Sequence, residues 1–137
     1  MLPKTDLKER FRWIKYTLRH KLAFLKVEKE VRGKNTLRGF LHDSDKIFLY
    51  ACLLIDIKKA QELHTRYARH HLENNKPKSQ ADIEETVIDL VCTPLTKPDK
   101  QLSAYDALVK FYPSHVKKVL PVLKKWFPHQ IPHNERS

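Results

Sequence analysis

The residues of this chain richest in chemistry are its histidines and the acids beside them. In order they are His20, the adjacent pair His42 and Asp43, His64, the adjacent pair His70 and His71, and Asp89. Imidazole and carboxylate are the donor types that suit divalent zinc, manganese, iron or magnesium. Gathered from several helices, the series would supply a buried site for one or two such ions. An adjacent His-Asp pair on one helix turn projects two donor types about 100° apart. An ion seated between helices can take both, or take one while the other orients a water. Water held by such an ion ionises near neutral pH, and the cation offsets the charge that develops on a phosphate ester. The predicted chemistry is metal-dependent phosphoester hydrolysis.

Each residue has an expected part. His20, His42, Asp43, His64, His71 and Asp89 are the candidate ligands, and Asp43, His70 and Lys46 are the candidate catalytic residues. His70 is a further ligand or a general acid. Lys46 follows the His-Asp pair by one helical turn, where an ammonium can hold a substrate phosphate. Arg66 and Arg69 are candidates of the same kind. Asp89 lies inside the apolar run Val87, Ile88, Asp89, Leu90, Val91. Buried there without a partner it would be costly, so a metal or a histidine is expected beside it. His64 and His71 are seven residues apart, which on one straight helix separates them by about 10.5 Å along the axis. They would serve two ions, or one would bind metal and the other substrate. Either the helix breaks near Arg69 or only one of His70 and His71 faces inward. His115, His129 and His133 lie in or near the polar C-terminal region and are read as surface residues.

These side chains have to be positioned by helices. Glycine is scarce, at 2 residues, which disfavours a fold built on tight β-turns. The first helix is expected from Asp6 to about Val31, with Asp6 and Glu9 as a capping box and Gly33 just past its end. Two apolar lines run along it. One is Leu7, Phe11, Ile14, Leu18, Leu22 and Leu25; the other is Trp13, Tyr16, His20, Phe24 and Val27. A second helix starts at Asn35 or Thr36, and Ser44 and Asp45 mark a break that caps the next. Another runs from Asp56 to about His71, followed by a loop over 74–77. The next spans Ser79 or Gln80 to Cys92, and Pro94 and Pro98 place a loop over 93–101. Ser103 caps a short helix to Phe111, with Asp106 at its third position. The last helix runs from His115 to Phe127 with a kink at Pro121, and 128–137 is expected to be a loose tail.

The fold class these elements predict is all-α, a single-domain bundle of five to six helices over residues 1–137. The chain is 137 residues long, 41% hydrophobic and 31% charged, as an ordinary globular domain is. It has no apolar run of membrane-spanning length and no signal-peptide pattern at its start. Cys52 and Cys92 both sit in apolar helical segments and are read as reduced core residues of a cytoplasmic protein. The net charge of +11 could steer a nucleotide or a nucleic acid, although the basic residues are spread along the chain.

The order His, His-Asp, His, His-His, Asp resembles that of the HD-domain metal-dependent phosphohydrolases, including their bimetal and HD-GYP members. The chain is also similar to a family of small bacterial and phage proteins classed as a domain of unknown function. That likeness is carried by residues 16–21, 41–46, 64–71, 88–89 and 96–100, with Leu102, Ala104 and Leu108, and covers roughly residues 13–113. Where that family usually shows His-Asp-x-Ser-Lys-Phe, this chain has Asp45 and Ile47. The resemblance implies an HD-like helical fold; the small phosphorylated substrate, of nucleotide type, is the expectation from the metal chemistry. Two alternatives stand beside it: an HD-like metal or nucleotide binder without catalysis, and a basic helical module that grips nucleic acid.

Overall fold

The computed structural model describes residues 7–72, 74, 77–97 and 101–135. Among them there are seven α-helices, three single-turn 3-10 helices and no strand. No helix among the described residues is long and apolar enough to cross a membrane. The chain divides into two compact units, residues 1–68 and 69–137.

The first unit holds α1 (Leu7–Arg32), α2 (Leu37–Leu41), α3 (Ser44–Ala51) and α4 (Ile57–Tyr67). α1 packs on α2 and α3, and α3 packs on α4. Of the two apolar lines on α1, the one through His20 is the buried one. Thr17, His20, Phe24 and Val27 are buried, whereas Leu7, Phe11, Leu18 and Leu22 are exposed. Gly33 ends the helix in the left-handed region (φ 77°), its N–H donating to Lys29 O at 2.9 Å. The expected N-cap Asp6 lies outside the described residues. Thr36 caps α2 by accepting from Gly39 N, and Asp56 caps α4 by accepting from Lys59 N.

Three sets of side-chain contacts hold this unit's turns in place. Arg10 donates to the carbonyls of Tyr50 (2.7 Å), Cys52 (2.9 Å) and Ile55, occupying acceptors that the end of α3 leaves open. The buried Glu28 carboxylate accepts from Thr36 N (2.9 Å) and Thr36 Oγ1 (2.8 Å), fixing the entry to α2. Lys21 donates to Phe40 O, to His42 O at 3.0 Å and to Ser44 Oγ at 3.0 Å, clasping the exit from α2.

The second unit holds α5 (Gln80–Thr96), α6 (Ala104–Phe111) and α7 (Val116–Trp126), which pack on one another pairwise. Ser79 and Asp82 form a reciprocal capping box at the start of α5, and Ser103 caps α6 by accepting from Asp106 N. Ile83, Val87, Ile88, Leu108, Val119 and Leu123 are almost wholly buried.

Four expectations need correction. The helix predicted to reach His71 ends at Tyr67, so His64 and His71 do not share a helix. α5 continues through Pro94 to Thr96, where a loop was expected. A proline near a helix end forfeits one backbone bond, and Lys97 N still closes the last turn on Thr93 O at 3.0 Å. The tail, over its described residues, is pinned. Ile131 is 1% exposed and Gln130 Oε1 accepts from Ala104 N at 3.1 Å, capping α6. Cys52 is only half-buried, while Cys92 is in the core; neither forms a disulfide.

Candidate metal centre

Asp43 is the centre of the site in the first unit. It sits between α2 and α3 with φ 57° and ψ 12°, the single non-glycine residue with positive φ among those described. Asp tolerates this left-handed conformation better than most residues, at a cost of about 1 kcal/mol or more. It also occupies the N-cap of α3, yet its side chain makes no capping bond there. A capping Asp commonly contributes about 1 kcal/mol. Here the carboxylate turns instead toward three imidazoles.

The distances from that carboxylate define the cluster. Oδ2 lies 3.4 Å from His42 Nε2 and 3.8 Å from His20 Nε2. Oδ1 lies 3.0 Å from His64 Nε2. Lys46 Nζ is 3.5 Å from Oδ2, one helical turn along α3. His20, His42, Asp43 and His64 are each at most 4% exposed. The rings are fixed by packing: His42 stacks on Phe24 with centroids 4.0 Å apart and 15° between planes.

The donor set fits a divalent ion. Bonds to His nitrogen and carboxylate oxygen run about 2.0–2.2 Å, so two donors on one ion stand at most about 4.2 Å apart. All three Nε2-to-carboxylate distances fall inside that limit. His20, His42 and Asp43 offer donor atoms within 4.8 Å of one another, as do Asp43, Asp45 and His64. Asp43 belongs to both groups through different oxygens.

Asp45 was not among the expected site residues. Its Oδ2 lies 2.7 Å from His64 Nδ1, while the other nitrogen of that ring faces Asp43. The contact with Asp45 fixes the orientation of the His64 ring, with Nε2 turned to Asp43. That is the carboxylate–histidine arrangement which orients metal-binding imidazoles. Partial burial pushes the Asp45 carboxyl up. The hydrogen bond and charge of His64, with the Lys46 backbone N–H, outweigh this and hold it below the ordinary carboxylate value. The signal in the sequence was a second acid two residues after Asp43, readable equally as a helix cap. Lys21 was missed as well. Burial lowers its ammonium's pKa, with Asp43 pulling the other way, and its bonds hold the turn that carries His42.

The remaining candidates separate by position. Arg66 is exposed on α4, two residues and so about 200° round the helix from the buried His64. Arg69 donates to Asp82 Oδ2 and to Pro77 O, both at 3.1 Å, which ties its guanidinium to the start of α5. His70, His71 and Asp89 belong to the second unit. His70 is buried, with Nδ1 3.1 Å from Glu85 Oε1, and its ring lies 4.5 Å from that of His71. Glu85, the carboxylate beside His70, was not among the expected site residues. It lies on α5 one turn before Asp89, a spacing that could have revealed it. His71 and Asp89 are half-buried and line a pocket of this unit. No protein-family model, curated protein or solved structure matches the chain.

Proposed function

We propose that this chain is a metal-dependent phosphohydrolase acting on a small phosphomonoester or phosphodiester of nucleotide type. His20, His42, Asp43 and His64 would hold its one or two divalent ions. The observation that carries this reading is the convergence of three buried imidazole nitrogens on one buried carboxylate that has given up its capping role. An ion bound there supplies Lewis acidity and an acidified water. The chain's own groups do the rest. Asp45 fixes the His64 ring. The partly exposed Lys46 ammonium is placed to hold a phosphate oxygen.

The test is elemental analysis of tag-free protein beside His42→Ala and Asp43→Ala, with turnover of p-nitrophenyl phosphate and its bis-ester. The expected result is near-stoichiometric zinc, manganese or iron in the unaltered protein, with metal and turnover both lost in the variants. Protein that takes up no ion, or an Asp43→Ala variant with full turnover, would overturn the reading. The near-complete burial of all four ligands favours one second reading, a closed site whose ion serves stability alone. It predicts bound metal, no turnover, and a lower melting temperature on chelation.

A further inference from the structure

α7 buries one face and leaves the other to lysine. Val119, Val122 and Leu123 are buried, whereas Lys117, Lys118 and Lys125 are exposed and Lys124 is half-buried. The four lysines form two rows. Lys117 and Lys124, like Lys118 and Lys125, are seven residues apart, two turns or about 10.5 Å along the axis, and the rows stand about 100° apart around the helix. The face is unbalanced in charge. No aspartate or glutamate occurs between Asp106 and Glu135, a stretch that holds five lysines. An acid one turn from a lysine stabilises a surface helix, yet no position three or four residues from any of the four holds one. None of the four ammoniums makes an ion pair or hydrogen bond among the described residues. Lys117 and Lys118 also stand in the first turn of α7 with no acid beside them. That is the end at which the helix dipole disfavours cations. Stability alone does not account for such an arrangement, whereas a polyanion laid across the face does.

We infer that the exposed face of α7 binds the phosphate backbone of duplex nucleic acid without reading its sequence. Duplex DNA carries one negative charge per about 1.7 Å, so about six phosphates lie along the length that the rows span. Three features select this partner. The lysine ammoniums are point charges that suit phosphates, and α7 has no Arg, Asn or Gln to make bidentate contacts with base edges. The exposed rows carry no aromatic ring on which unpaired bases could stack; Trp126, at the end of the helix, is half-buried. The exposed residue between the rows is Pro121, not a large apolar side chain that would enter a bilayer. This surface needs nothing of the proposed metal chemistry.

The test is fluorescence anisotropy of a labelled DNA duplex of about 20 base pairs and arbitrary sequence, titrated with the full chain between about 50 and 200 mM KCl. Four phosphate contacts predict a slope of about −3.6 in log affinity against log salt, a fall of about 150-fold across that range. Lys124→Gln/Lys125→Gln is expected to halve the slope to about −1.8 and to weaken binding at low salt by about tenfold or more. Glutamine keeps the helix propensity of lysine, and an equal melting temperature shows that the variant folds. The control is Lys58→Gln/Lys59→Gln, which removes the same charge from exposed lysines of α4 and should leave the slope as it is. Equal losses in the two variants would show that net charge alone attracts the duplex, and would overturn the inference. So would absence of binding at low salt, or tighter binding of the single strand than of the duplex. Metal content, measured on the same samples, is expected to be equal throughout. Loss of duplex binding with metal retained therefore separates this face from the metal centre.

Discussion

Replacing Gly39 with alanine tests how the His-Asp turn is delivered. Gly39 has an ordinary helical backbone, so what matters is space. A Cβ there would stand 2.7 Å from Glu28 Cδ and Oε2, and closer still to Oε1. A side-chain end can usually swing aside, but this one is 2% exposed and held by Thr36 N and Thr36 Oγ1, with Arg32 Nε 3.5 Å away. Moving it forfeits two hydrogen bonds to a buried charge, together about 3–4 kcal/mol, and alanine's better helix propensity returns about 1 kcal/mol. The expected net loss is about 2–3 kcal/mol, read as a shift in the urea midpoint at unchanged slope. The effect should also reach the site, because α2 ends at the His42–Asp43 turn, and metal retention should fall. The double-mutant cycle with Glu28→Ala is decisive. With the carboxylate gone, Gly39→Ala should cost nothing or stabilise slightly, a coupling of about 2–3 kcal/mol. If Gly39→Ala alone is neutral, or costs the same with Ala at position 28, the steric account is wrong.

Asp45→Ala should weaken metal retention about 10–100-fold, whereas Asp45→Asn, which still accepts from His64, should lose less; dialysis against a competing chelator measures both. Because the folded Asp45 carboxyl lies below its ordinary value, its stabilising contact is fully present above about pH 3.9 and is lost only as pH falls further. The side chain is 51% exposed, so the contribution is small and screened. Arg10→Met strips the donor from three carbonyls at the end of α3 and should cost about 3 kcal/mol in urea unfolding. Metal content per folded molecule should be unchanged, and a loss of metal at full stability would show that Arg10 acts on the site rather than the fold.

Features set by local chemistry could be read from the chain, and features set by distant contacts could not. Thr36, Asp56, Ser79 and Ser103 cap the helices that follow them, and each announces itself by residue type within one turn. The end of α4 has no such signal, since Tyr67 is followed by Ala68 and Arg69 rather than glycine or proline. The chain beyond it is held from elsewhere, by Arg69 on Asp82 and by Thr86 on the His70 carbonyl. Pro94 misled for the opposite reason: a strong local signal for a break was overridden where only the last turn was at stake. The tail looked polar and proline-rich, and one isoleucine and one glutamine pin it. In the site, residue type and order named His20, His42 and Asp43 as candidates but not which of His64, His70 and His71 stands beside them, because that choice depends on where α4 ends. Asp45 was passed over because an acid at a helix start has an ordinary structural explanation.

The backbone of Asp43 carries the functional reading further than its residue type could. A left-handed residue, an unused capping position and a buried carboxylate are each unfavourable for folding, by about 1 kcal/mol or more apiece. A chain selected for stability alone has simple ways out: glycine removes the backbone strain, and serine restores the cap. Keeping aspartate makes sense only if something in the native state interacts with that carboxylate strongly enough to offset all three. The nearest ammonium, Lys46, is 3.5 Å away on the more exposed side. A divalent cation among the same imidazoles would meet the charge and exploit the fixed ring of His64. The strain at Asp43 and the donors around it are thus two views of one requirement, and the ion that would satisfy it is the one that the proposed hydrolysis needs.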